Sequence, residues 1–90
     1  MEKIAHITQV GLETAKCFRL GYEGAANEAF VSFIDNVTLL CQENKNIGIQ
    51  LSDILAVIIN AQKRQDTLFI ADIIQYEILP FLNEQFPLPK

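Results

Sequence analysis

The chain has 90 residues, 50% of them hydrophobic and 20% charged, which suits one small domain rather than two. Its formal net charge is -4 and its mean hydropathy is +0.20. Nucleic-acid binding normally requires a basic patch, and anionic membrane surfaces attract cations. The composition therefore argues against both kinds of partner.

The N-terminal sequence has no apolar core of a secretory signal, and the longest uninterrupted apolar run is residues 54–59. A bilayer-spanning helix needs about 20 apolar residues. Cys17 and Cys41 are too few for a disulfide framework. These features predict a cytoplasmic protein with two reduced, structural cysteines, and a disulfide between them is the minor alternative.

A first helix is predicted over residues 2–20, because apolar residues recur at spacings of three and four. Gly21 would supply the left-handed conformation that often follows a helix end. Gly21 and Gly24 together favour a turn over one helix running on to Glu43, since each would cost about 1 kcal/mol inside a helix. The predicted inner stripe is Ile4, Ile7, Gly11, Leu12, Ala15, Phe18 and Tyr22.

Two further helices are predicted over residues 25–43 and 51–64, joined by a loop at residues 44–48 whose residue types are common in turns. Gln50 and Ser52 both lie near the start of the third helix, and Ser52 is the better N-cap of the two. The inner stripe of the second helix is Ala26, Ala29, Phe30, Phe33, Val37, Leu40 and Cys41, and that of the third is Leu51, Ile54, Leu55, Ile58, Ile59 and Ala61.

A fourth helix is predicted over residues 67–82, with Asp66 as its N-cap. A continuous helix over residues 51–79 is the alternative, because no glycine marks the turn. Pro80 predicts that the helix ends or bends near Leu79, and the tail at residues 86–90 is expected to be extended or disordered. The predicted fold is all-α, a small four-helix bundle of two antiparallel helical hairpins in up-down-up-down order.

The fourth helix is too apolar to bury only one stripe. One arc, Ile70, Ala71, Ile74, Ile78 and Phe81, is assigned to the core. A second arc mixes apolar and polar residues, which is typical of an interface: Leu68, Asp72, Gln75, Tyr76 and Leu79, with Phe69 and Ile73 as possible extensions. The alternative is that three neighbouring helices enclose this helix on nearly all sides.

No catalytic residue, metal ligand or cofactor site is predicted. The single histidine, His6, lies on the polar face of the first helix, away from both cysteines, whereas nucleophilic sites pair a nucleophile with a base. Structural zinc needs about four Cys or His ligands, and the chain has three such residues far apart. Asp72 and Glu77 point in different directions on one helix.

The sequence therefore predicts a small, cytoplasmic, non-enzymatic protein-interaction module, such as an adaptor, a regulator or a chaperone-like protein. It would associate through its apolar C-terminal helix with a second copy, as a homodimer, or with a partner helix. The alternative is a small-molecule carrier or accessory subunit with a pocket between the hairpins, lined by Phe30, Phe33, Ile58 and Ile74.

Overall fold

The computed structural model describes residues 2–86, and in this range the chain forms helices joined by very short turns. The elements are α1 (Glu2–Leu20), α2 (Glu23–Glu43), α3 (Lys45–Lys63), α4 (Thr67–Ile73), a π-helical turn (Ile74–Ile78) and α5 (Leu79–Gln85). The last three are continuous and are called the C-terminal helix below. The predicted all-α fold with four helices is confirmed. The predicted tail lies, beyond Phe86, outside the described residues.

The four helices form a closed ring in which each helix packs against two others. α1 and α3 each pack against both α2 and the C-terminal helix, whereas the backbones of the diagonal pairs stay more than 8 Å apart, Cα to Cα, within residues 2–86. Lys3 near the start of α1 forms an ion pair with Glu43 at the end of α2. The Phe18 and Phe30 rings meet edge to face with their centroids 6.0 Å apart. These contacts show that α1 and α2 are antiparallel.

The core contains most residues of the predicted inner stripes of all four helices. Three residues that were predicted to lie in these stripes do not. Leu12, Tyr22 and Ile59 are exposed rather than buried. Leu12 and Ile59 lie one position round from the buried faces of their helices, and Tyr22 follows the point where Gly21 turns the chain. Thr14 is fully buried instead, and its hydroxyl donates a hydrogen bond of 2.7 Å to the Val10 carbonyl.

The turn between α1 and α2 is built on Gly21, whose φ is +77°. The Tyr22 N–H donates to the Cys17 carbonyl at 3.0 Å and the Gly21 N–H to the Phe18 carbonyl at 3.2 Å, the pattern of a Schellman motif. The predicted left-handed glycine is confirmed. Gly24 is not part of the turn, because α2 already begins at Glu23.

The turn between α3 and α4 has the same hydrogen bonds. The Asp66 N–H donates to the Ala61 carbonyl at 2.9 Å and the Gln65 N–H to the Gln62 carbonyl at 3.1 Å. Gln65 takes the left-handed position with φ +57°, which glycine usually occupies. Helices three and four are therefore separate. Asp66 stands at the N-cap position, but its side chain makes no capping hydrogen bond.

The predicted loop at residues 44–48 is wrong, and so is the predicted start of the third helix at Leu51. Only Asn44, with φ -133° and ψ 91°, separates α2 from α3. Its N–H bonds to the Leu40 carbonyl and its carbonyl accepts from the Gly48 N–H. Gly48 lies inside α3, where a Cβ would be 3.3 Å from both the Cβ and the carbonyl oxygen of Cys41. This glycine permits close packing rather than a turn.

The expected helix end or bend near Leu79 is replaced by a π-helical turn, and the helix continues to Gln85. Pro80 has no N–H, and its ring crowds the carbonyl four residues earlier. A wider turn relieves this crowding, and the Leu79 N–H bonds five residues back to the Ile74 carbonyl. The extra residue rotates everything after it by about 100°. Leu79 consequently points inward and Pro80 outward.

Candidate interaction surfaces

The residues of the predicted interface separate into an exposed group and one buried residue. Leu68 is 57% exposed and Tyr76 is 65% exposed, whereas Leu79 is only 4% exposed. The expectation that Leu79 lies on this surface is wrong, because the π-helical turn rotates it into the core. Asp72 is exposed and Gln75 is partly buried.

Arg19 of α1 binds both polar residues of the predicted interface within the same chain. Its guanidinium donates to Asp72 Oδ1 at 2.9 Å and to Gln75 Oε1 at 3.1 Å. The same group lies 6.0 Å from the centroid of the Tyr76 ring, within reach of a cation–π interaction. Asp72 and Gln75 therefore join α1 to the C-terminal helix within one chain.

A mixed surface surrounds Tyr76 along the seam between α1 and the C-terminal helix. Leu12, Lys16, Arg19, Leu20, Gln75 and Tyr76 line a shallow depression of about 370 Å³. Leu12 and Leu20 are both about half exposed. Leu68 lies one helical turn before Asp72 on the same side. The Tyr76 face is defined here as Leu12, Lys16, Arg19, Leu20, Leu68, Asp72 and Tyr76.

A second groove runs along the opposite seam, between α3 and the C-terminal helix. This α3 groove has a volume of about 280 Å³ and is lined by Asp53, Ile54, Val57, Phe69, Ile73 and Glu77. Ile73 is almost fully buried, whereas Val57 and Phe69 are partly exposed. Phe69 and Ile73 were expected to extend the predicted interface, but they lie on the other side of the helix from Leu68.

A third, polar cleft lies where the two hairpin turns meet. Its volume is about 250 Å³ and its lining is Phe18, Glu23, Asn27, Gln62, Gln65, Thr67 and Ile70. Glu23 is the only charged residue in that lining. The cleft offers amides and a carboxylate to a ligand, without a paired nucleophile and base.

Among the titratable residues of the described part of the chain, one thiol lies beside a carboxylate: the Cys17 thiol donates a hydrogen bond of 4.0 Å to Glu13 Oε1. His6 shares a surface depression with Glu13 and Ser32, but these three side chains are not hydrogen-bonded to one another. Both cysteines are free thiols, and burial raises the pKa of the Cys41 thiol, which reduces the thiolate needed for nucleophilic attack. Across residues 2–86, no group of three or more His, Cys, Asp or Glu side chains is arranged to hold a metal ion.

The four residues that were expected to line a carrier pocket lie in the hydrophobic core. Phe33, Ile58 and Ile74 have no solvent exposure, and Phe30 has very little. The three clefts described above are lined mainly by other residues. Among the helices of residues 2–86, none combines the length and the apolar character needed to cross a membrane.

Comparison with known proteins identifies a family. The model of the family described as Domain of unknown function (DUF8042) matches residues 7–85, which is most of the chain, so the protein belongs to that family. No curated protein and no solved structure matches the chain. The match runs from the second turn of α1 to the end of α5, so it includes both the Tyr76 face and the α3 groove.

Proposed function

We propose that this member of the DUF8042 family is a small protein-interaction module that associates through the Tyr76 face. Its partner would be a second copy of the chain or an amphipathic helix of another protein. The observation that carries this proposal is the exposure of Leu12, Leu20, Leu68 and Tyr76, each of which leaves about half or more of its surface in contact with water.

The free energy gained by burial, compared with the cost of association, favours a reversible contact. Full burial of such a side chain contributes about 1.5–3 kcal/mol, so four half-exposed side chains contribute about 3–6 kcal/mol for each copy. Association costs about 4–15 kcal/mol. One face alone therefore matches only the low end of this cost, whereas two faces in a symmetric dimer contribute about 6–12 kcal/mol, which covers most of it. The proposed homodimer is therefore weak to moderate in affinity.

The charges of the Tyr76 face also suit a contact with itself. A two-fold axis places the same surface patch on both sides of an interface. Lys16 and Arg19 supply positive charge and Asp72 supplies negative charge on one face. Arg19 binds only Oδ1 of Asp72, so in a symmetric contact the other carboxylate oxygen could accept from Lys16 of the second copy.

We further propose a role as an adaptor, regulator or chaperone-like protein in the cytoplasm. Two free thiols support a reducing compartment, because oxidising compartments favour disulfides. The proposed role includes no reaction, and its selectivity would come from the pattern of exposed leucines around Tyr76.

The test compares Tyr76→Asp with Tyr22→Asp. Both tyrosines are more than half exposed, but Tyr22 lies in the turn after α1, outside the Tyr76 face. Light scattering over a concentration series should show a rise in mass for the wild type and for Tyr22→Asp, and a constant monomer mass for Tyr76→Asp. Circular dichroism should give the same helical spectrum for all three.

A wild type that stays monomeric at the highest concentration would exclude the homodimer. Association with a helix of another protein is then tested by comparing the proteins that the same three variants capture from the native host. Capture that is equal for Tyr76→Asp and Tyr22→Asp would contradict the role of this face.

A further inference from the structure

We propose that the α3 groove binds an amphipathic helix that carries Lys or Arg next to its apolar residues. The groove lies on the opposite seam of the C-terminal helix from the Tyr76 face. The inference therefore goes beyond the proposed function and does not depend on it.

The apolar part of the groove has the shape that a helix can fill. Ile73 forms its floor, and Val57 and Phe69 form partly exposed walls. Grooves between helices bind amphipathic helices through apolar anchors at spacings of three and four. Small-molecule pockets usually measure about 300–1,000 Å³. The 280 Å³ of this groove lies below that range and suits one or two inserted side chains.

The charge of the groove selects a basic partner. Asp53 and Glu77 are the only charged residues in its lining. Two other acids of the described chain are already paired within it, Glu43 with Lys3 and Asp72 with Arg19. Asp53 and Glu77 form no ion pair with any described residue, so an incoming Lys or Arg can bind them. The net charge of -4 would also speed the approach of a basic partner.

Glu77 lies on the groove side of the C-terminal helix. It follows Phe69 and Ile73 at spacings of eight and four, which puts all three residues on one side of a helix. Asp53 of α3 lines the same groove from the other side of the seam. The groove therefore combines an apolar floor with two carboxylates.

The experiment uses two synthetic helical peptides as probes. One combines a Leu stripe with flanking Lys residues, and the other has Glu at every Lys position. Binding is measured by fluorescence anisotropy on the full chain and mapped by amide chemical shifts. We expect the Lys peptide to bind and to shift residues of the α3 groove, and the Glu peptide not to bind.

The charge contribution is isolated by two double variants that change the net charge equally. Asp53→Asn with Glu77→Gln removes both groove carboxylates. Glu28→Gln with Asp35→Asn removes two exposed acids of α2 outside the groove. The first pair should weaken binding of the Lys peptide by at least about fivefold, and the second by less than about twofold. An equal loss for both pairs would overturn the proposal, because it would indicate unspecific attraction.

The apolar contribution is tested by Phe69→Gln, with Val31→Gln on exposed α2 surface as its control. Only Phe69→Gln should weaken binding, with circular dichroism unchanged for both. No binding of the Lys peptide to the wild type would overturn the proposal. Loss of peptide binding in Tyr76→Asp would overturn the proposal, because it would place the binding site on the Tyr76 face. Loss of self-association on removal of the groove carboxylates would make a second copy the occupant of the groove.

Discussion

Gly11 is a residue at which three helices meet closely. A Cβ at this position of α1 would lie 2.8 Å from Cε1 of Phe33 in α2 and 3.0 and 3.2 Å from the two methyl carbons of Leu79 in the C-terminal helix. Real Cβ contacts are longer than 3.0 Å, so one of these side chains would have to move. The absence of a side chain at Gly11 therefore sets the spacing between α1 and its two neighbours.

Gly11→Ala should destabilise the protein, whereas Gly24→Ala should stabilise it. Alanine in a helix gains about 0.8–1 kcal/mol over glycine, and nothing lies within 4 Å of a Cβ at Gly24. At Gly11, overpacking against Phe33 and Leu79 should outweigh this gain and leave a net loss of about 1–2 kcal/mol. Urea unfolding of both variants measures the difference. A stabilised Gly11→Ala would show that the three helices can separate at little cost.

The structural roles of the glycines could be predicted from the sequence only in part. Gly21 ends an apolar stripe, and that position alone indicated a left-handed helix end. Gly48 closely follows Asn44 and Asn46, which are common in turns, so the local pattern suggested a loop. The contact that requires a glycine is made by Cys41 of another helix. Arg19 was missed for a similar reason, since its partners Asp72 and Gln75 are distant in sequence.

The C-terminal helix shows how tertiary packing overrides a local stop signal. Pro80 alone predicts an end or a kink. Ile78, Leu79 and Leu82 are all buried, and burying each large apolar side chain contributes about 1.5–3 kcal/mol. This gain outweighs the hydrogen bonds disturbed by the proline. The helix therefore continues with one wide turn, which sequence periodicity at 3.6 residues per turn cannot anticipate.

Deleting Glu77 in a Pro80→Ala background should leave the fold intact. A π-helical turn contains one residue more than an α-helical turn, so removing an exposed residue from it restores an ordinary helix and keeps the later side chains in place. Deleting the exposed Asp35 from the middle of α2 should instead rotate Val37 and Leu40 out of the core. Thermal unfolding by circular dichroism compares the two deletions, with Pro80→Ala alone as the reference.

The prediction for these deletions fails in one clear case. If the Glu77 deletion unfolds the chain as completely as the Asp35 deletion, the π-helical turn is required for the fold. If the variant stays folded, the π-helical turn is not required for the fold.

At the scale of the whole molecule, neither hairpin can bury its apolar surface alone. α1 packs against α2 within its own hairpin and equally against the C-terminal helix of the other. Leu51 and Ile58 of α3 are completely buried in the assembled bundle, and a hairpin on its own has only one neighbour for each of its helices. The stability of the domain therefore depends on the joining of its two halves.

Peptides covering residues 1–44 and 45–90 should each lack cooperative helical unfolding when alone, and should gain it when mixed. A two-helix unit of this length buries too little apolar surface to fold by itself. Circular dichroism of the separate and mixed peptides measures this directly. A half that melts cooperatively on its own would show that one hairpin is an independent unit.

The global fold was more predictable than the surfaces. The predicted inner stripe of α2 is confirmed at Phe30, Phe33, Val37 and Leu40, which are all buried. This was predictable because the spacing of apolar residues along one helix depends on that helix alone. The interface residues depend on where one helix meets its neighbours. Leu68 and Tyr76 remain exposed, whereas Leu79 is enclosed, and their role in binding stays a prediction.

The single residue between α2 and α3 gives this chain a second possible assembly. If φ and ψ of Asn44 moved to helical values, α2 and α3 would merge into one long rod. The α1–α2 hairpin and the hairpin of α3 with the C-terminal helix would then no longer pack against each other. In two such opened chains, each hairpin could pack against the complementary hairpin of the other chain, which gives a domain-swapped dimer with two complete cores. Such a pair would survive Tyr76→Asp, so this substitution also distinguishes an exchanged dimer from one held by surface contact.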